Sequence, residues 1–171
     1  MAKLRKFCAY RRLERPFTRI SKFRNKAFVR ARPHSKVIKY TMGDQKREFQ
    51  HTILLKSLDN MQVRHNSIES ARLTANRTLE KQIGRTNFFF KMRIYPHHIL
   101  RENPLASGAG ADRMSTGMKK AFGKPVGVAA QISEDQIIAE LKVDKNHLPI
   151  ARKALKRFTY KLPLKTRLEE N

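Results

Sequence analysis

Apolar residues recur at steps of three and four through HNSIESARLTANRTLEKQIG, where Ile68, Ala71, Ala75, Leu79 and Ile83 share one face of a predicted helix. Asn66 or Ser67 is placed to cap it, Glu69 sits near the position that completes a capping box, and Gly84 is placed to end it. The same period returns at Leu148, Ala151, Leu155, Phe158 and Leu162. This second helix is closed by Pro163 and turns Arg152, Lys153, Lys156 and Arg157 away from the core. Elsewhere the period is two. In FFFKMRIY (88–95), Phe88, Phe90, Met92 and Ile94 alternate with Phe89, Lys91, Arg93 and Tyr95, which predicts a strand with one face in a core and the other offering rings and cations. FQHTILLKSL (49–58) reads as a strand too apolar on both sides for its buried face to be assigned. KPVGVAAQI (124–132) and QIIAELKV (136–143), joined by Ser133-Glu134-Asp135, predict a hairpin. The order β-α-β, long loop, β-β-α gives an α+β class: one domain, with two helices packed on a mixed or antiparallel sheet.

The pattern lapses between Tyr95 and Lys124. PHHILRENPLASGAGADRMSTGMKKAFG offers little sign of regular structure before a short helix expected around Thr116 to Phe122. Structureless loops beyond about 12–15 residues are uncommon in compact domains and usually functional or disordered. Its centre, ASGAGADRMSTG, holds small side chains, and Gly108, Gly110 and Gly117 permit positive φ and close backbone approach. Folded back as a narrow finger, arms of roughly eight residues each reach about 25 Å. Arg101, Arg113, Lys119, Lys120 and Lys124 flank or punctuate it, as suits a projection into a polyanionic cavity.

Charge sharpens this picture. Lys and Arg number 38 against 14 Asp and Glu, a net charge of +24, so the surface repels itself until a polyanion neutralises it. The excess is uneven: residues 1–40 hold fourteen Lys and Arg and one acid, Glu14. Phe7, Tyr10, Phe17, Phe23 and Phe28 are interleaved there without period. Such a segment reads as an extended arm whose cations neutralise phosphates while its rings anchor on the domain or stack on unpaired bases. Candidate phosphate contacts are Arg5, Lys6, Arg11, Arg12 and Arg15, continued by Arg19, Arg24, Arg30 and Arg32. Residues 1–40 are thus expected to be a nucleic-acid-binding extension, 41–165 the domain with loop 101–122 inserted, and 166–171 a C-terminal tail.

Other chemistries find little support. No apolar run approaches the roughly 20 residues that span a bilayer, and the N-terminus lacks a signal peptide's apolar centre. Cys8 stands alone, which excludes a disulfide framework and a Cys-based zinc site and favours a reducing compartment. His97 and His98 point apart on an extended chain, with Glu102 the one acid nearby, so neither a metal nor another cofactor is expected. Asp112 reads as a local partner of Arg113, and no acid-base pair or nucleophile-base arrangement is legible. GAGADR matches neither phosphate-loop nor dinucleotide-loop spacing. An RNA-directed enzyme and a DNA-compacting protein are the two other classes weighed. The first is expected to bind a nucleotide saturably, the second to treat duplex DNA and structured RNA alike.

KMRIYPHHILRENPLASGAGADRMSTGMKKAFGKPVG (91–127), with its ordered series PHH, REN, GAGADR, GM and AFGKP, closely resembles the archaeal and eukaryotic form of the universal L-sixteen, or L-ten-e, family of large-subunit ribosomal proteins. The resemblance extends through VRHNSIESARLTANRTLEKQIGR (63–85) and more loosely to RRLERPFTR (11–19), while RARPHSK (30–36) and the tail beyond Pro163 depart from it. It implies an α/β-hammerhead-like domain and a non-enzymatic, cytoplasmic constituent of the ribosome that binds large-subunit rRNA near the central protuberance. Arg64, Arg72, His97, His98 and Lys124 then join the arm as candidate rRNA contacts. The loop residues Arg101, Ser107, Gly108, Ala109, Gly110, Ala111, Asp112, Arg113, Lys119 and Lys120 are expected to face the peptidyl transferase centre and the acceptor ends of transfer RNA. Neighbouring ribosomal proteins and the 5S rRNA region are further implied partners; a membrane and a homo-oligomer are not.

Overall fold

The computed structural model describes residues 4–14, 18, 23–26, 33–105, 108–110, 115, 117–119 and 121–170. In chain order the strands are β1 (Thr41–Gly43), β2 (His51–Ser57), β3 (Met61–Arg64), β4 (Phe88–Met92), β5 (His98–Glu102), β6 (Lys124–Ile132), β7 (Ile137–Val143) and β8 (Thr166–Glu170). Helix α1 spans His65–Gln82 and helix α2 Leu148–Thr159. A five-stranded sheet runs β1-β4-β7-β2-β8 and a three-stranded sheet β3-β6-β5, with every pairing antiparallel. This is the α+β class that the periodicities predict.

The alternation at β4 is borne out. Phe88, Phe90 and Met92 are buried, and the ring of Phe90 meets Phe158 of α2 edge-on, centroids 5.8 Å apart. One face of the larger sheet thus meets both helices in a single core, in which Ile53, Leu55 and Leu141 pack with Ile68, Ala75, Leu79 and Leu155. On β2 the buried face is that of Ile53, Leu55 and Ser57, the assignment its apolar sequence withheld. Burying a side chain the size of Phe or Leu stabilises by about 1.5–3 kcal/mol, so this shared core is what binds sheet to helices.

Several expectations are corrected. Strands β6 and β7 do not form a hairpin: β6 pairs with β3 and β5, whereas β7 pairs with β4 and β2. Ser133–Asp135 carries the chain from one sheet to the other, with Asp135 at φ 58°. Beside it the β2–β3 connection makes the same crossing, joined to it by hydrogen bonds from Asp135 N to Ser57 O (2.9 Å) and from Ser57 N to Gln136 O (3.0 Å). Two long ribbons therefore switch sheets together. Neither Asn66 nor Ser67 caps α1, because β3 runs straight into the helix through Arg64 in extended conformation, leaving both inside the first turn. Gly84 does follow its end, at φ 86°. Helix α2 stops at Thr159, ahead of Pro163. Residues 166–170, expected as a tail, add β8 to the edge of β2. Within the segment expected to be irregular, His98–Glu102 forms β5, and the described residues of 116–122 form a turn rather than a helix.

Candidate nucleic-acid interface

Ala129 and Ala130 are consecutive on β6 and therefore face opposite sides of the small sheet. Ala130, Val63 and Ile132 join the main core, whereas Ala129 packs with Leu100 and with Tyr10 from the arm. The arm thus covers the face of the small sheet that α1 leaves open. Gln62 fixes it twice: its backbone N–H donates to Arg11 O (3.1 Å) and its side-chain Nε2 to Tyr10 O (2.9 Å). Gln131 Nε2 donates to Glu14 O (2.8 Å), and Arg64 Nη1 to Arg5 O (3.1 Å).

The arm is latched at the base of the Gly-rich loop. The Tyr10 hydroxyl donates to Glu102 Oε1 and accepts the Arg5 backbone N–H at 3.0 Å, while Arg5 Nε pairs with Glu102 Oε2 at 2.8 Å. Burial, then the hydrogen bond to Glu102, raises the Tyr10 pKa above its ordinary value. Glu102 and Lys124 are register partners, so β5 and β6 converge where the loop departs. A Cβ on Gly123 would lie 2.8 Å from both C and N of Glu102, which is why a glycine stands at this neck. Arg101 donates to Gly123 O (3.2 Å), and its guanidinium lies 4.3 Å from the Phe122 ring centroid; burial lowers its pKa. A cleft of about 300 Å³ between arm and neck is lined by Tyr10, Gln62, His98, Arg101 and Glu102, among others.

The candidate residues divide sharply. Lys6, Arg11, Arg12, Lys119 and Lys124 are exposed and form no ion pair among the described residues, whereas Arg5 is paired with Glu102 yet its side chain remains 64% exposed. Arg72 is buried: Nε and Nη2 clamp Glu69 at 2.9 and 2.5 Å, and Nη1 donates to Met42 Sδ at 3.4 Å. Its charge is committed inside the fold, where Glu69 also accepts the Ile38 N–H (3.3 Å). Glu69 thus serves an ion pair rather than a capping box. His98 is buried as well, and burial lowers its pKa, whereas His97 is exposed with its ring 4.5 Å from that of Tyr95. Tyr95 in turn stacks on Tyr40 at 5.1 Å, a ladder that no local sequence pattern announced. Gly108 and Gly110 adopt φ of 111° and 82°, as the positive-φ reading requires; Ala109 lies between them, exposed. Arg15, Arg19, Arg30, Arg32, Ser107, Ala111, Asp112, Arg113, Lys120 and the side chain of Arg24 lie outside the described residues.

On the outer face of the larger sheet, Arg93 donates through Nε to Glu140 (2.8 Å) and Lys142 stands 3.4 Å from the same carboxylate. Burial raises the Glu140 pKa, but the bond and charge of Arg93, with Lys142, outweigh it and hold the carboxyl below its ordinary value. Two of this face's cations are therefore partly neutralised from within.

Among the described residues no cluster of His, Cys, Asp or Glu is arranged to hold a metal ion, and no helix is long and apolar enough to cross a membrane. An antiparallel α+β scaffold, a cationic arm latched over it and a narrow-necked loop at the latch define a protein built to meet a polyanion. The family model for ribosomal protein L16p/L10e matches residues 16–169, and the chain belongs to that family. Its relatives include proteins named large ribosomal subunit protein uL16. That of Staphylothermus marinus is 40% identical over 153 residues, 90% of this chain and 84% of the relative. That of Methanococcus maripaludis is 42% identical over 160 residues, 94% and 90%, and that of Methanosphaerula palustris is 45% identical over 136 residues, 80% and 79%.

Proposed function

We propose that this protein is a structural constituent of the large ribosomal subunit, in the cytoplasm, that holds rRNA through its arm and presents its Gly-rich loop to the tRNA sites without itself catalysing peptide transfer. The latch carries the reading. Tyr10, Arg5 and Glu102 tie the cationic arm to the root of the loop, so phosphates held by the arm fix where the loop points. Lys6, Arg11, Arg12 and Lys124, with Arg5, Arg15, Arg19, Arg24, Arg30 and Arg32, are the proposed rRNA cations; His97 and the exposed side of Arg64 adjoin them. Ser107 to Arg113, with Lys119 and Lys120, are proposed to reach toward the peptidyl transferase centre and tRNA acceptor ends. The 5S rRNA region and neighbouring ribosomal proteins complete the surroundings.

The test is reconstitution of large subunits depleted of their own copy of this protein. The full chain is expected to rebind and restore translation. Lacking residues 106–116, it is expected to rebind and keep its melting temperature but leave peptide synthesis impaired, because the loop adds little core. With Arg5, Lys6, Arg11, Arg12 and Arg15 neutralised, it is expected to assemble poorly. Undiminished incorporation of this last variant overturns the arm's role, and full translation by the loop deletion overturns the loop's.

A further inference from the structure

Helices α1 and α2 leave an open groove of about 380 Å³ between them, lined by Thr74, Arg77, Thr78, Lys81, Gln82 and Arg157. Three of these side chains are cations and none is an acid. Arg77 and Lys81 stand four residues apart on α1, where like charges oppose helix formation. Arg157 joins them from α2, its Nη1 donating to Thr78 Oγ1 at 3.1 Å. The Thr78 hydroxyl donates in turn to Thr74 O (2.9 Å), so its proton is committed and its oxygen accepts from the guanidinium. One donor of Arg157 is thereby tethered, and the planar fork keeps others to offer.

Several other cations of the domain are paired with acids. Arg47 meets Asp144, Lys56 meets Glu169, Arg152 meets Glu170 and Arg167 meets Glu169, each at 2.6 Å. Helix α2 contains no acid, and on α1 Glu69 is clamped to Arg72 while Glu80 faces Arg85 at 3.6 Å. Arg77, Lys81 and Arg157 form no ion pair among the described residues. A groove that gathers three cations and holds one in a fixed fork suits a backbone phosphate, which a planar guanidinium binds through two parallel bonds.

We infer that this interhelical groove is a second RNA-docking surface, seating a phosphate of the sugar-phosphate backbone beside the C-terminal half of α1. It rests on the rRNA-binding reading above and extends it: the protein grips RNA at this groove as well as through the arm.

The full chain is titrated with protein-free archaeal large-subunit rRNA between 50 and 400 mM KCl, reading the slope of log affinity against log salt. Each lost phosphate contact removes about one unit of slope. Arg77→Gln with Lys81→Gln and Arg157→Gln is expected to lower the slope by about one unit, for the one phosphate seated there, and the affinity at 150 mM by roughly tenfold. Lys46→Gln with Lys145→Gln and Lys165→Gln, equally neutralising but outside the groove, is expected to change it by less than half as much. Arg77→Lys with Arg157→Lys is expected to keep most of the slope. A wild-type chain without salt-dependent binding defeats the rRNA reading and this inference together. Salt-dependent wild-type binding with an unchanged groove variant defeats the groove alone. So does a control triple that loses as much as the groove triple, or a charge-conserving variant whose salt slope falls as far as that of the neutral one.

Discussion

Tyr10 donates its hydroxyl proton to Glu102, a residue 92 positions further along the chain, and so closes the cationic arm against the root of the Gly-rich loop. One phenol thereby couples the two segments whose sequences look least foldable. Tyr10→Phe keeps the ring against Leu100 and Ala129 but removes the donor, and leaves the Arg5 N–H without its acceptor. A hydrogen bond to a charged group contributes about 1.5–3 kcal/mol. The expected outcome is faster amide exchange in residues 4–14 and earlier proteolysis of the arm, with little change in the global melting temperature. Unaltered protection of the arm contradicts the latch.

Arg72 and Glu69 form an ion pair whose side chains are only 7% and 12% exposed. Removing one partner of a buried pair strands the other and costs about 3–5 kcal/mol, whereas replacing both with apolar groups is often neutral. Arg72→Met is therefore expected to lower the urea midpoint steeply, and Glu69→Leu in the same chain to restore most of it. RNA affinity of the folded protein should be unaffected, which separates Arg72 from the exposed cations of the arm.

Burial lowers the pKa of His65, helped by the charge of Lys36, and burial likewise lowers that of His98. His65 Nδ1 accepts the Lys36 N–H at 3.1 Å, as only a neutral ring does. In the unfolded chain both histidines protonate near pH 6.5, so below that pH the unfolded state binds more protons and the native state loses stability. Their stabilising contribution is full above about pH 7 and is lost as pH falls from about 6.5 toward their lower native values. Urea midpoints at pH 8, 7, 6 and 5 are expected to decline across that interval, and a chain carrying His65→Gln and His98→Gln to decline less. A flat profile in the parent protein excludes this coupling.

The neck offers a steric test. A Cβ at Gly123 meets Glu102 backbone atoms at 2.8 Å, and backbone cannot swing aside as a flexible side chain does. Gly123→Ala is expected to part β5 from β6 at the loop's base and cost about 1–3 kcal/mol, the usual range for overpacking. Calorimetry measures the loss. Exchange of the β5 amides should localise it to Arg101 and Glu102.

What could be read from the chain was what repeats locally. The period of α2 and the alternation of β4 each report one element against one apolar environment, and burial of Phe158 and Phe88 bears both out. β1 and β3 escaped because three or four residues carry too little period to distinguish a strand from a connection, and β8 because TRLEE offers a single apolar residue, Leu168, and so no alternation. β5 escaped because its His98-Ile99-Leu100 run is buried at consecutive positions, hence on both faces, and so does not alternate.

The candidate site was legible by charge and by motif, not by geometry. Clustering of cations in residues 1–40 is a property of composition, and the series from PHH to AFGKP is a property of order; both survive without coordinates. Which cations remain outside is different. Arg72 and Lys124 read alike as basic residues, yet one is clamped beneath a carboxylate 2.5 Å away and the other stands exposed at the loop's neck.

The sequence by itself determined the class of fold, the polyanionic character of the partner and the position of the Gly-rich loop along the chain, because periodicity, net charge and residue order need no third dimension. Tertiary structure alone decided the partition of β6 and β7 between two sheets, the closure of the arm by Tyr10 on Glu102, and the meeting of Arg77, Lys81 and Arg157 across two helices. The physical reason is common to all three: each depends on contacts between residues far apart in the chain, formed only once burial has fixed where their elements lie.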